Sequence, residues 1–223
     1  MKKFETHKLF WDEYLYKLVV QNRLATIFRN KNLSHAGQVL SNIREQYEKG
    51  EPLLLYKSRR QDYVKESQYL DAEKLFQFFS SSNSFKLRVE SSTLNLYSND
   101  SKWLDSISKA LTPGNVTEFW EPDASSIKHL LEKTIILEEK INYQFRVTLG
   151  NKRGNQGFAQ FAKTNPHLIR LGPVLLKELE QEGWVSGMYF YARDERVIQL
   201  CHLMLGNIRR IDKVIYKQDI DKY

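Results

Sequence analysis

The chain of 223 residues is 41% hydrophobic and 27% charged, with one cysteine, ten glycines and five prolines. These numbers exclude a disulfide framework and a collagen-like or linker-dominated chain, and no apolar run approaches the roughly 18 residues that a membrane helix needs. Thirty-four Lys and Arg against 27 Asp and Glu give a net charge of +7, which favours polyanionic partners.

The first half of the chain alternates β-like runs with amphipathic helices. Residues 14–20 are rich in aromatic and β-branched side chains and predict a strand. Residues 33–48 predict a helix, because their apolar residues recur at helical spacing after an N-cap at Asn32. The pattern continues with a short strand at 53–56, an exposed basic segment at 57–67, a helix capped by Asp71, strands at 85–90 and 93–97 joined by a tight turn, a helix capped by Asp100, and a strand at 116–120.

The second half repeats this alternation. Its predicted elements are a short helix at 125–131, strands at 134–137 and 143–147, a helix at 155–163, a weak strand at 168–171, a helix opened by Gly172 and Pro173, a strand at 188–192, a helix capped by Asp194, and a strand at 208–216. Cys201 lies among apolar residues of the last helix, so we expect this thiol to be buried and unreactive.

An internal repeat relates the two halves. Residues 94–116 align with residues 188–208, and both read as a strand, a capped helix, a Gly-Asn turn and a strand. The aligned pairs are Tyr97 with Tyr191, Asp100 with Asp194, and the Gly-Asn turns at 114–115 and 206–207. We expect the two aspartates to occupy equivalent N-caps.

The element order predicts the fold class. In the first module the order is strand, helices, strand, strand, helix, strand, which is the split βαβ or ferredoxin-like plan. We therefore predict an α+β fold of two related ferredoxin-like modules, at 12–122 and 140–217. Each should be a small, mostly antiparallel sheet covered by helices. The alternative is a chance recurrence, because strand, capped helix, strand is a common order in α/β chains.

Three glycines lie in the segment Gly150–Gly157, between a predicted strand and a predicted helix. Backbone N–H groups in such a loop could approach phosphates, with Lys152 and Arg153 supplying positive charge. The glycine spacing is neither a Walker A loop nor a dinucleotide fingerprint, so we predict no cofactor. The alternative is a flexible basic loop without a ligand.

The five histidines show no metal-binding spacing, and we predict no metal site. His35 opens the first helix after a basic stretch, where an imidazole could act as a general base. A solvent-exposed histidine in a first helical turn is the alternative. No catalytic residue is predicted beyond this one candidate.

Positive charge gathers in a few places rather than spreading evenly. Basic residues beside exposed aromatic rings suit single-stranded nucleic acid, because bases stack on the rings and phosphates pair with the charges. A solvated surface that protects edge strands is the alternative. The predicted contacts are Arg59, Arg60, Lys152, Arg153, Arg209 and Arg210 for phosphates, and Tyr63 and Tyr191 for stacking. With Arg209 and Arg210 on the surface, reversing both charges should weaken binding more than folding.

These features predict a cytoplasmic, non-enzymatic protein that binds nucleic acid, single-stranded or RNA rather than specific duplex DNA, and has no membrane partner. The many Asn, Lys, Tyr and Phe residues also suit a phage or mobile-element product. One alternative is a viral structural or assembly protein whose aromatic strands pair with other subunits. The sequence leaves a homo-oligomer open.

Tandem ferredoxin-like modules, a basic glycine loop and His35 at the start of the first helix are similar in architecture to the endoribonucleases that process CRISPR repeat RNA. The similarity covers no extended motif, and the glycine-rich loop of those enzymes lies near the chain end, whereas Gly150–Gly157 is central. The resemblance implies a second alternative, a metal-independent endoribonuclease with His35 as general base.

Overall fold

The computed structural model of the chain describes residues 1–57, 60–82 and 84–222, with the backbone alone at residues 56, 57, 60, 61, 221 and 222. The chain divides into two compact units, Met1–Asp123 (unit 1) and Ala124–Tyr223 (unit 2). Each unit contains a five-stranded, mostly antiparallel sheet packed with helices, which is the predicted α+β class. Within the described ranges, no helix is both long and apolar enough to cross a lipid bilayer.

Unit 1 begins with an edge strand and then follows the split βαβ order. Its elements are β1 (Lys2–Glu5), β2 (Tyr16–Gln21), α1 (Leu33–Glu48), β3 (Leu54–Lys57), β4 (Arg60–Tyr63), α2 (Glu66–Ser81), β5 (Phe85–Glu90), β6 (Thr93–Ser98), α3 (Ser101–Ala110) and β7 (Val116–Glu121). The sheet order is β1-β7-β2-β6-β5, in which β1 is parallel to β7 and the other neighbours are antiparallel. The first and third strands of the split βαβ unit, β2 and β6, therefore lie side by side near the middle of the sheet.

The core of unit 1 lies on one side of this sheet. Side chains alternate along a strand, so Leu18 and Val20 of β2 are fully buried on the same side. They share one hydrophobic cluster with Leu40 of α1 and Leu104 of α3. Lys17 projects from the opposite side of β2.

Unit 2 repeats the sheet order with different connections between its strands. Its elements are α4 (Ile127–Leu131), β8 (Thr134–Leu137), β9 (Phe145–Leu149), α5 (Gln156–Thr164), β10 (Ile169–Leu171), α6 (Pro173–Glu180), β11 (Tyr189–Ala192), α7 (Glu195–Leu205) and β12 (Ile208–Tyr216). The sheet order is β10-β11-β9-β12-β8, with β8 parallel to β12 at one edge. Where unit 1 joins β5 to β6 by a two-residue turn, unit 2 places α6 between β10 and β11.

The predicted repeat recurs in the hydrogen bonds of the two units. Asp100 Oδ1 accepts from the backbone N–H of Trp103 at 2.9 Å, and Asp194 Oδ1 accepts from that of Val197 at 3.0 Å. Both aspartates are thus N-caps at the same helical position. The bond from Val197 also lowers the pKa of Asp194, because it stabilises the carboxylate.

The final strand of each unit carries a bulge at the same place. The register of β2 against β7 shifts at Thr117, and the register of β9 against β12 shifts at Arg209. In the Gly-Asn turns that precede these strands, the carbonyls of Asn115 and Asn207 accept backbone N–H groups at 2.7 and 3.1 Å. The donors are the last residue of β2 and the first residue after β9. The two units therefore share strand order, cap and bulge.

Asp71 is not the predicted helix cap. Helix α2 begins earlier, at Glu66, and Asp71 is buried in its second turn. The carboxylate accepts from Thr112 N at 2.9 Å, from Thr112 Oγ1 at 3.0 Å and from Asn115 Nδ2 at 2.7 Å. It thereby fixes the turn between α3 and β7. The prediction is wrong because an aspartate that precedes apolar helical residues gives the same sequence pattern whether it caps the helix or is a buried acceptor within it.

The basic segment at 57–67 is not simply an exposed excursion. Strands β3 and β4 pair as an antiparallel hairpin with Leu54 opposite Tyr63. Leu55 and Val64 are buried in the core of unit 1, which anchors the hairpin. The segment contains few apolar residues, and polar residues separate them widely. The sequence pattern therefore does not predict strand β4.

Replacing Asp71 should destabilise the protein more than replacing an exposed cap. Asp71→Ala leaves three part-buried donors without their acceptor, with an expected loss of about 3 kcal/mol in the free energy of unfolding. Asp100→Ala removes one N-cap, with an expected loss of about 1 kcal/mol. Urea denaturation of both variants beside the wild type measures the difference. Equal losses would show that the hydrogen bonds of Asp71 add nothing beyond those of a cap.

Cys201 should resist thiol reagents until the protein unfolds. Its side chain is buried in the core of unit 2, and this burial raises the pKa of the thiol to about 12. At pH 8 the reactive thiolate is therefore nearly absent. A chromogenic disulfide reagent at that pH should react slowly with native protein and rapidly in 8 M urea. Rapid stoichiometric reaction of the native protein would contradict the buried position.

Candidate nucleic-acid interface

The predicted contacts of unit 1 lie on or beside the β3–β4 hairpin. Arg59 lies outside the described residues. Arg60 begins β4, where its backbone is paired with Lys57. Tyr63 ends β4 and is 69% exposed, and its carbonyl accepts from Arg23 Nη1 at 3.3 Å. Among these residues, Tyr63 presents an aromatic ring to solvent.

His35 occupies the first turn of α1 and is exposed. Its backbone N–H donates to Asn32 Oδ1 at 3.0 Å, which is the predicted N-cap bond. The N-cap of α1 therefore holds the backbone of His35 in place.

The glycine loop packs against its own unit. Gly150 N–H donates to Asn207 O at 3.1 Å, and Gly154 N–H donates to Gly183 O at 2.7 Å. A Cβ atom at Gly150 would lie 2.2 Å from the Asn207 side chain, and one at Gly154 would lie 2.5 Å from Glu178 O. These two glycines therefore allow close packing of the chain, and their N–H groups are already bonded within the protein.

The two basic residues of this loop have different surroundings. The Lys152 ammonium donates to the carbonyl of Leu205, at the C-terminal end of α7, where a cation is favourable. Arg153 is exposed, with its guanidinium 5.8 Å from the ring centre of Trp184, which is itself 59% exposed. Lys152 thus stabilises a helix end, whereas Arg153 and Trp184 form an accessible pair.

The structure also separates Arg209 from Arg210. Arg209 lies at the bulge of β12 and is exposed. The side chain of Arg210 is only 9% exposed, and its Nε donates to Asp212, whose side chain is fully buried. Arg210 is therefore held in a buried ion pair and is not the surface residue that the sequence predicts. Burial of a charged side chain depends on its partner, which strand alternation does not reveal.

Tyr191 lies on the side of the unit 2 sheet that faces away from the core. Phe190 and Ala192 are buried on the other side. The register places Arg146 of β9 and Arg170 of β10 on either side of Tyr191. Tyr189, two residues from Tyr191, shares its side of β11. We call this surface the tyrosine–arginine face; it consists of Arg146, Arg170, Tyr189 and Tyr191.

Ring contacts order the tyrosine–arginine face. The guanidinium of Arg146 lies 3.7 Å from the ring centre of Tyr189, a cation–π contact. The rings of Tyr189 and Tyr191 meet edge to face, with centroids 5.7 Å apart. Tyr189 is 43% exposed, whereas burial raises the pKa of Tyr191, so its hydroxyl stays protonated at neutral pH. The face thus offers an accessible ring, a hydroxyl donor and two cations.

A cavity of about 700 Å³ opens beside this face. We call it the tyrosine cavity; its walls include Leu137, Ile141, Arg170, Val174, Tyr189 and Tyr191. Ligand sites are commonly apolar clefts with a few polar groups, and this composition follows that pattern.

The corresponding side of unit 1 is covered. Tyr97, the counterpart of Tyr191, is 6% exposed. The ring centroids of Phe10 and Trp11 lie 5.5 and 6.0 Å from that of Tyr97. Residues from the segment between β1 and β2 thus pack on this side of the sheet, where unit 2 has an open face.

The sequence predicts one member of the tyrosine–arginine face, Tyr191, and misses three. Alternation within 145–149 and 189–192 could have placed Arg146 and Tyr189 on one side. Arg170 lies in a strand of only three residues, where alternation is a poor signal.

Fold and surface together define a chain of two ferredoxin-like units, one of which carries an accessible aromatic and basic sheet face. No protein family, curated protein or solved structure matches this chain.

Reversing the charge of Arg209 and of Arg210 should have very different effects on folding. Arg209→Glu changes an exposed residue and should alter the free energy of unfolding by less than about 0.5 kcal/mol. Arg210→Glu places a carboxylate beside buried Asp212 and should destabilise the protein by about 3–5 kcal/mol. Urea denaturation of each single variant measures both values. Similar stability of the two variants would contradict the buried ion pair.

Proposed function

We propose that the chain is a nucleic-acid-binding accessory protein that holds single-stranded nucleic acid, RNA included, on the tyrosine–arginine face of unit 2. The observation that carries the proposal is the clustering of two tyrosine rings and two arginines beside a cavity of about 700 Å³. The net charge of +7 supports the same class of partner, because it attracts polyanions.

The chemistry of the face suits unpaired bases. A base stacked on an aromatic side chain contributes about 1–3 kcal/mol, and stacking requires a base whose flat side is accessible. Duplex DNA keeps those sides covered, which favours a single strand over a duplex. Arg146 and Arg170 flank the tyrosines and can pair with phosphates, while the Tyr191 hydroxyl can donate to a base or to a 2′-hydroxyl.

The proposal keeps the predicted cytoplasmic location and the phage or mobile-element origin. It also keeps two alternatives that experiments can separate from it. An endoribonuclease would cleave its RNA and lose cleavage on His35→Ala. An assembly protein would sediment as an oligomer without nucleic acid.

Tyr189→Ala should weaken binding of a fluorescein-labelled single-stranded RNA. Loss of one stacked base predicts about a 5- to 150-fold increase in Kd. The matched control is Tyr63→Ala, which removes another exposed tyrosine from the hairpin of unit 1. Fluorescence anisotropy at several salt concentrations measures both, and thermal melting by circular dichroism reports whether each variant folds.

The two variants also test where binding occurs. A loss confined to Tyr189→Ala supports the tyrosine–arginine face. A loss confined to Tyr63→Ala would place binding on the β3–β4 hairpin, as the sequence predicts. Undetectable binding by the wild type at low salt would remove the proposed function, and shortening of the RNA during titration would favour the endoribonuclease.

A further inference from the structure

A second cavity adjoins the tyrosine cavity in unit 2. Its volume is about 680 Å³, and Ile141 and Arg170 line both cavities. The other lining residues are Lys140, Asn142, Tyr143, His167 and Arg193. They belong to the segments before β9, before β10 and after β11. Because β9 and β10 run antiparallel to β11, these segments meet at one end of the sheet.

Cationic side chains dominate this second cavity, which we call the basic cavity. Lys140, Arg170 and Arg193 carry positive charge, and His167 adds an imidazole N–H donor. Of the described residues that line it, none is acidic. A cavity of this composition attracts an anion.

Two of these cations also have a carboxylate neighbour outside the lining. Arg193 Nε lies 3.3 Å from Asp194 Oδ2, and Lys140 Nζ lies 3.8 Å from Asp219 Oδ2. The side chains of Arg193 and Lys140 are 51% and 66% exposed, so both pairs are of the weak, solvated kind. Arg193 and Lys140 each carry further donors that a bound anion can use.

The tyrosine cavity has a different balance of charge. Two carboxylates, Glu138 and Glu139, line it beside the single cation Arg170, so it attracts phosphate less than the basic cavity does. A base can still stack on Tyr189 within the same cavity. The two cavities therefore separate the two parts of a nucleotide, with the base in one, the phosphate in the other, and Arg170 at their junction.

We propose that the basic cavity binds a terminal phosphate of the strand whose terminal base occupies the tyrosine cavity. This inference rests on the proposed function. A terminal phosphate monoester carries about −1.5 to −2 charges at pH 7, whereas an internal phosphodiester carries about −1. Several converging cations match the larger charge. The position of the basic cavity at one end of the sheet suits the end of a strand better than its middle.

The test compares three RNAs of about ten nucleotides with the same sequence and an internal fluorescent label. One carries a 5′-phosphate, one a 3′-phosphate, and one has hydroxyl groups at both ends. Wild-type protein should bind one phosphorylated RNA about tenfold or more tightly than the hydroxyl form, because charge-assisted hydrogen bonds are gained. The favoured arm identifies which end is bound.

Substitutions confined to the basic cavity should remove this advantage. Arg193→Gln and His167→Gln change residues that do not line the tyrosine cavity. Both should bind the phosphorylated and hydroxyl RNAs within about twofold of each other, because the phosphate loses donors. The matched control Arg196→Gln removes an exposed cation of α7 outside both linings and should keep the advantage. Circular dichroism melts verify folding, and either cavity variant suffices if the other unfolds.

The outcomes separate the two proposals. If all three RNAs bind wild-type protein equally and Tyr189→Ala still weakens binding, the terminal-phosphate site is overturned and the proposed function stands. If the phosphate advantage survives in Arg193→Gln and His167→Gln, the phosphate binds elsewhere and the inference is again overturned. If none of the RNAs binds, both proposals are overturned.

Discussion

The pairing of one central strand with two strands that come much later in the chain holds each unit together. In unit 1, β2 pairs with β6 and β7; in unit 2, β9 pairs with β11 and β12. Inward residues near the middle of the central strands are fully buried, as Leu18 and Val147 illustrate. Helices on the core side can bury their apolar faces only after this pairing is made. The outward residues are then fixed, which is how Arg146 comes to lie beside Tyr191.

Local patterns in the sequence predicted most of the fold. The helix at 33–48 and the strands at 134–137 and 208–216 have the predicted limits, and Asp100 and Asp194 are caps. These features depend on neighbouring residues, so a sequence can reveal them. Strands β1 and β4 were missed because each has a single aromatic residue among charged and polar ones, and β1 is stabilised by pairing with the distant strand β7.

The candidate site was harder to predict because side-chain roles depend on tertiary contacts. The sequence predicts Arg210 and Lys152 as phosphate contacts because both are basic. In the structure Arg210 pairs with buried Asp212, and Lys152 donates to a carbonyl at the end of a helix. Asp71 precedes apolar helical residues, as an N-cap does, but in the structure it is a buried hydrogen-bond acceptor. Net charge favours a polyanionic partner only as a hypothesis, and the sheet register is what brings the arginines and tyrosines of unit 2 together.

Unit 1 has a tight turn where unit 2 has helix α6, and this difference has a consequence for the folding kinetics. Strands β5 and β6 are close in sequence and can form a hairpin within microseconds, whereas β10 and β11 must close a loop that contains residues 172–188. Closing the longer loop costs about 2 kcal/mol more in chain entropy by simple scaling. We therefore expect the edge strand β10 to join the sheet of unit 2 late in folding. Val174, which lines the tyrosine cavity, belongs to that late segment, so this cavity should be among the last parts of unit 2 to become structured.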